Sequence, residues 1–124
     1  MNKKIIKRHL IIMAEFSYCW AFQNDIYDDG TNFCCATGMG GDYENEIDNG
    51  EKTATISPVL ARAFDKWSMY YDNNYDHSGN GRVEDKTAWD AFDKVGMRLT
   101  ELLKKQIGHL YDEIYYQAVY RWSS

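Results

Sequence analysis

The chain has 124 residues, 14 basic against 19 acidic side chains, and a formal net charge of −5. That length fills one domain with a real core, and ten Tyr, four Trp and a single Pro exclude a disordered chain. The acidic balance excludes gripping phosphate backbones, which takes clustered Lys and Arg; no direct nucleic-acid contact is expected, and a basic protein partner is.

Residues 1–13 carry Lys3, Lys4, Lys7 and Arg8 ahead of Leu10-Ile11-Ile12-Met13. Periodicity leaves 3–14 open between a short helix and a first strand. The apolar run is too short for a secretion signal or a membrane span, Glu15 interrupts it, and no small-residue cleavage site follows. Cys19, Cys34 and Cys35 form an odd set with an adjacent pair, which fits three thiols in a reducing cytoplasm. A cytoplasmic protein is expected, with no membrane contact.

From Phe16 the residues alternate, with Phe16, Tyr18, Trp20 and Phe22 on one face and Ser17, Cys19 and Ala21 on the other, predicting a strand. Asn24 to Gly30 is turn-like, and Asp29-Gly30 ahead of Thr31-Asn32-Phe33-Cys34-Cys35 predicts the return of a hairpin over 16–36. Three glycines in 37–41 make a loop. Asp42, Glu44, Glu46 and Asp48 then place an acid at every second position, so an extended chain sets four carboxylates on one side, with Tyr43 and Ile47 on the other.

Ser57-Pro58 reads as a helix start, with Ser57 as cap and Ile56 as a hydrophobic staple. Leu60, Ala63, Phe64, Trp67 and Tyr71 recur at helical spacing and predict a helix over 57–72. A second helix is predicted over 86–107: Trp89, Phe92, Gly96, Leu99, Leu103 and Gln106 follow the seam spacing of packed helices, and Gly108 stands where a left-handed cap belongs. Gly96 in that seam suggests a close approach by the first helix. Asp90 with Lys94 and Glu101 with Lys105 are spaced for surface ion pairs. Ile114, Tyr116, Ala118, Tyr120 and Trp122 alternate through 110–122, a closing strand expected beside the Phe16 strand. The expected fold is α+β: a small antiparallel sheet with two main helices packed on one face, in a single domain spanning 1–124.

Several local patterns touch on chemistry. Asp76 to Thr87 resembles the calcium-binding EF-hand loop, with oxygen ligands at the first, third and fifth places and Gly81 at the sixth. Thr87 stands where that loop carries its bidentate Glu, and Asp72-Asn73-Asn74 breaks the entering helix. Gly38-Met39-Gly40-Gly41 lacks the Lys and Ser/Thr of a phosphate loop. Cys34 or Cys35 with His77 or His109 could pair as nucleophile and base, but scattered thiols and imidazoles are more often structural. His9, His77 and His109 have no zinc spacing. No metal, cofactor or catalytic residue is expected.

The charge layout carries the functional expectation. Between Arg8 and Lys52 there is no Lys or Arg, while nine acids occur. A run of this kind is often a solvated loop, and it is equally a steering surface for a cationic protein. The expected partner-binding residues are Asp25, Asp28, Asp29, Asp42, Tyr43, Glu44, Glu46 and Asp48, with Tyr27 and Phe33 as further aromatic anchors.

Tyr18-Cys19-Trp20-Ala21-Phe22, Ile56-Ser57-Pro58-Val59-Leu60 with Trp67 and Tyr71, and Trp89, Phe92, Gly96, Leu99 and Ile107-Gly108 before a Tyr-rich strand together resemble small acidic bacterial toxin-immunity proteins. The resemblance spans about residues 16–120 and implies a non-catalytic protein that neutralises a cognate toxin, such as a nuclease, by occluding its basic site. It carries no individual binding residue across. A phage-encoded inhibitor of a host nucleic-acid-binding complex would need the same acidic face, and a calcium-binding regulatory module using 76–87 is the alternative from another class.

Overall fold

The computed structural model describes residues 3–14, 19–37, 45–74 and 86–118. The fold is α+β. A four-stranded sheet runs in the order β3-β2-β1-β6, from strands β1 (Ile5–Ile12), β2 (Ala21–Tyr27), β3 (Asn32–Ala36) and β6 (Glu113–Tyr116). A separate hairpin pairs β4 (Glu46–Asp48) with β5 (Thr53–Thr55). Helices α1 (Pro58–Asn74) and α2 (Lys86–Ile107) lie between that hairpin and β6 in the chain, and a 3-10 turn at Gly108–Leu110 ends α2.

Residues 3–14 resolve to the strand alternative. β1 becomes a central strand, antiparallel to β2 and parallel to β6. The closing strand therefore lies beside β1 and not beside the segment containing Phe16, and the four-stranded sheet is mixed. Its alternation is as expected: Ile114 is buried, and Tyr115 turns to the far face to meet His9 edge-on at 6.1 Å. Residues 119–122 of the expected strand lie outside the described residues.

The hairpin return is also present, but β2 runs on to Tyr27 through residues expected to turn. The three-residue connection is closed by Tyr27 N donating to Thr31 O (2.9 Å) and Gly30 N donating to Tyr27 O (3.1 Å). Gly30 takes φ +86°, the left-handed position such hairpins give to glycine. The face assignment before it changes as well. Trp20 and Ala21 are both fully buried, because regular pairing begins only at Ala21, so Ala21 and Gln23 face the helices and Phe22 faces away. Phe16 to Tyr18 lie outside the described residues.

Helix α2 forms over the expected range, whereas α1 continues to Asn74 through the Asp72-Asn73-Asn74 segment expected to break it. The Ser57 Oγ accepts the Leu60 amide (3.2 Å), and Ile56 is fully buried before it. Gln106 joins the far end of α2 to that start: its Oε1 accepts Ser57 N at 2.7 Å and its Nε2 donates to Ser57 Oγ at 3.4 Å. Gly108 opens a 3-10 turn and does not cap α2 left-handed; the described glycines with positive φ are Gly30 and Gly50. Glu101 pairs with Lys104 (3.1 Å) where Lys105 was the expected partner.

The core lies between the helices and one sheet face. Leu10, Ile12, Ala21 and Ile114 meet Trp20, Phe64, Leu99 and Leu103 there. Trp20 stacks on Phe64 with ring centres 3.9 Å apart, and Trp67 stacks on Phe92 at 4.7 Å while its indole N–H donates to the Phe92 carbonyl (3.1 Å). Gly96 does permit a close approach, but by β6. A Cβ there would fall 2.6 and 2.7 Å from Cζ and Oη of Tyr116, with Cε1 nearer still.

Candidate partner-binding surface

Arg8 organises the charged end of the sheet. The β1–β2 register sets it opposite Asp25, and its Nε lies 3.5 Å from the Asp25 carboxylate, an ion pair without hydrogen-bond geometry. Both side chains are nearly buried. Arg8 Nη1 reaches the exposed Glu51 at 3.2 Å, and the Arg8 amide donates to Asp112 at 2.7 Å. The Arg8 guanidinium thus gathers carboxylates from β2 and the β4–β5 turn, while its backbone amide holds the Asp112 carboxylate just before β6.

Beneath it runs a buried polar chain that no sequence pattern announces. Gln23 Nε2 donates to Asp25 (2.9 Å) and to the Asn49 carbonyl (3.0 Å), and its Oε1 accepts the Tyr111 hydroxyl (3.0 Å). Asn49 Nδ2 donates to the Leu110 carbonyl at 2.6 Å, and its Oδ1 accepts the amides of Glu51 and Lys52. Gln23 thereby ties β2 to the β4–β5 turn and to Tyr111, and Asn49 ties that turn to Leu110. Burial, and next the Asp25 charge, push the Tyr111 phenol well above its ordinary pKa. An open cleft of about 270 Å³ borders this end, lined by Lys7, Arg8, Lys52, His109 and others.

The expected binding acids therefore have different fates. Asp25 is committed to Arg8 and Gln23. Asp29 accepts Thr31 Oγ1 (2.6 Å) and the Thr31 amide (2.9 Å), and pairs with Lys3 at 3.4 Å; those hydrogen bonds, chiefly the hydroxyl's, hold its pKa below the usual value. Asp28 sits at the hairpin tip and receives the Lys4 amide at 3.4 Å. Glu46 and Asp48 project outward on β4 either side of the buried Ile47, the alternation expected for an extended acidic segment, and Asp48 also accepts the Gly50 amide. Asp42, Tyr43 and Glu44 lie outside the described residues. The basic N-terminal strand folds back on the acidic stretch: Lys3 and Arg8 take Asp29, Asp25 and Glu51, and Lys3 also stands 5.7 Å over the Tyr27 ring.

The remaining candidates gain little support. Partial burial raises the Cys34 thiol pKa, the reverse of what an activated nucleophile needs. Residues 76–85 of the EF-hand-like segment, His77 among them, and the glycines at 38–41 lie outside the described residues. Among the described residues no group of three or more His, Cys, Asp or Glu could hold a metal ion, and no helix is long and apolar enough to cross a membrane. No protein-family model and no curated protein matches the chain.

One surface missed by the charge pattern is the edge of the main sheet. All five residues of β3 are exposed, and Phe33, one of the expected anchors, leaves 59 % of its surface in solvent.

Proposed function

We propose that this protein is a non-catalytic, acidic binding protein of the toxin-immunity kind, working in the cytoplasm by covering the basic site of a cognate toxin. The observation that carries the reading is the exposed pair Glu46 and Asp48, set outward by the burial of Ile47, within a 43-residue stretch from His9 to Glu51 that holds no Lys or Arg. Carboxylates so placed enter a groove built for phosphates, which makes a nuclease the fitting target class, and they raise the association rate of a cationic partner. Asp28 at the hairpin tip extends the same sign of charge. Asp25 and Glu51 serve the fold, holding Arg8.

The test is neutralisation. The toxic domain encoded immediately ahead of this gene is co-expressed with the protein in a bacterial host, and survival and complex formation are measured. Protection is expected from the natural chain. The double variant Glu46→Lys/Asp48→Lys should associate at least tenfold more slowly at low salt and lose most of the salt dependence. An upstream frame that encodes no toxic domain, or unchanged association kinetics in the variant, overturns the reading.

A further inference from the structure

We infer that the outward seam between α1 and α2 is a second docking surface, and that it takes an acidic amphipathic helix of a partner protein. The inference goes beyond the toxin-binding reading and uses none of the residues assigned there.

Helical spacing sets the seam. The two helices run antiparallel: Gln106 at the end of α2 bonds Ser57 at the start of α1, and the Tyr70 ring meets those of Phe92 and Trp89 with centres 5.6 and 5.9 Å apart. Val59, Arg62, Lys66 and Tyr70 follow one another at three- and four-residue steps along α1, on the side that borders α2. Val95, Arg98, Leu102 and Lys105 do the same along α2. Val95 and Leu102 stand three residues past the buried Phe92 and Leu99, on the flank turned away from Asp93 and Gly96, which meet Tyr116 of β6. Every residue of both stripes is exposed. Val59, Tyr70, Val95 and Leu102 leave between 41 and 71 % of their surface in solvent. Apolar side chains lined up in the open on packed helices mark an interaction surface.

Charge names the occupant. Among the described residues Lys3 pairs with Asp29, Arg8 with Asp25 and Glu51, and Lys104 with Glu101, whereas Arg62, Lys66, Arg98 and Lys105 enter no ion pair. The helix acids stand off the seam: Asp65 and Asp72 on the other flank of α1, Asp90 and Glu101 on the flank of α2 that carries Asp93. A chain of net charge −5 thus shows, along its helix layer, stripes of apolar and cationic side chains with no acid among them. A partner helix whose apolar stripe is bordered by Glu on both edges matches apolar with apolar and sets a carboxylate by each cation, the helix-in-groove mode of recognition. From Val59 to Tyr70 the seam runs roughly 16 Å, about three helical turns. A second copy joined by the same face would set cations against cations, and an anionic bilayer repels the net negative charge of the whole chain.

The experiment follows the NMR spectrum of the isotope-labelled full chain as a synthetic helical peptide is added, with Leu at three- and four-residue steps, Glu on both borders of that stripe and Ala elsewhere. Two control peptides accompany it: the same composition rearranged so that Leu is spread around the helix, which keeps the charge, and the same pattern with Lys for Glu, which keeps the apolar stripe. Expected are shift changes at Lys66, Tyr70, Val95, Arg98 and Leu102, with at least tenfold weaker binding for both controls and for the variant Lys66→Glu/Arg98→Glu. Lys66→Gln/Arg98→Gln, which removes charge without reversing it, should weaken binding by a smaller factor. Both variants alter exposed side chains and should unfold at the urea midpoint of the natural chain; the control peptides decide on the natural chain alone. Equal binding of the Lys-flanked peptide, perturbations centred on β4 or on β1, tighter binding to phosphatidylserine vesicles than to the acidic peptide, self-association through the seam or no binding would each overturn the proposal.

Discussion

Gly96→Ala tests the tightest join in the molecule. The added methyl would enter the space of the Tyr116 ring, under 3 Å from Cζ and Oη. That ring cannot simply swing aside. Its hydroxyl donates to Asp93 at 2.5 Å, and it packs edge-to-face with the Trp67 indole, ring centres 5.9 Å apart. Forcing a methylene into such a site costs about 1–3 kcal/mol, while alanine in a helix interior returns about 1 kcal/mol over glycine. A net loss of about 1 kcal/mol is expected, roughly 4 °C in Tm for a domain of this size. Urea unfolding followed by Trp fluorescence reads it, with an unchanged m-value as the check that only stability moved. In a Tyr116→Ala background the obstruction is gone, so Gly96→Ala should there stabilise by about 1 kcal/mol. The double-mutant cycle thus isolates a coupling of about 1–3 kcal/mol. A coupling of zero, with alanine stabilising in both backgrounds, would show that Tyr116 does not lie on Gly96.

Alkaline titration probes the buried phenols. Burial raises the pKa of Tyr111 and Tyr116, so the folded state keeps protons that the unfolded chain gives up near pH 10; stability should be intact below that pH and fall above it, and Tyr111→Phe should flatten the fall by up to about 1.4 kcal/mol per pH unit. Arg8→Met should cost about 2 kcal/mol, less than for a fully buried pair, because the Asp25 contact is long and Glu51 is exposed. Asp25→Asn in that background should restore much of the loss, and denaturation midpoints that do not move in either variant would refute the role given to Arg8.

The helices were legible because each repeats a buried residue at three- and four-residue steps, and that signal is local; of the end signals only the Ser57 cap held, since α1 runs through Asp72-Asn73-Asn74 and Gly108 opens a 3-10 turn. The Ser57 cap and the seam from Trp89 to Leu103 needed no partner to be read. Strands depend on what lies beside them. Asn24 and Asp25 are poor strand formers, yet β2 continues through them because β1 and β3 pair on both sides and Arg8 receives the Asp25 charge. The β4–β5 hairpin was half visible, its acidic alternation marking β4 while Thr53–Thr55 carries too short a pattern to mark β5. Gly96 was recognised as a contact point, but a glycine shows only that something comes close. The partner proved to be Tyr116, nine residues beyond the end of the helix that holds the glycine.

The candidate surface was the least legible part, and the reason is electrostatic. A stretch of chain without cations is acidic in sequence, but its field after folding depends on which cations return to it. Here β1 brings Arg8 against Asp25 and Glu51, and the residues leading into it set Lys3 on Asp29, so carboxylates equivalent in the linear count divide into those that hold the sheet together and those that face solvent. Pairing of this kind follows from the β1–β2 register, and register is fixed by which face each strand buries. Leu10 and Ile12 must turn inward, which puts Arg8 on the same face two residues earlier and directly beside Asp25. Among the described residues β3 stands at the end of that sheet, next to β2. Burial of two apolar side chains in β1 thereby decides which carboxylates Arg8 holds and which stay turned to solvent.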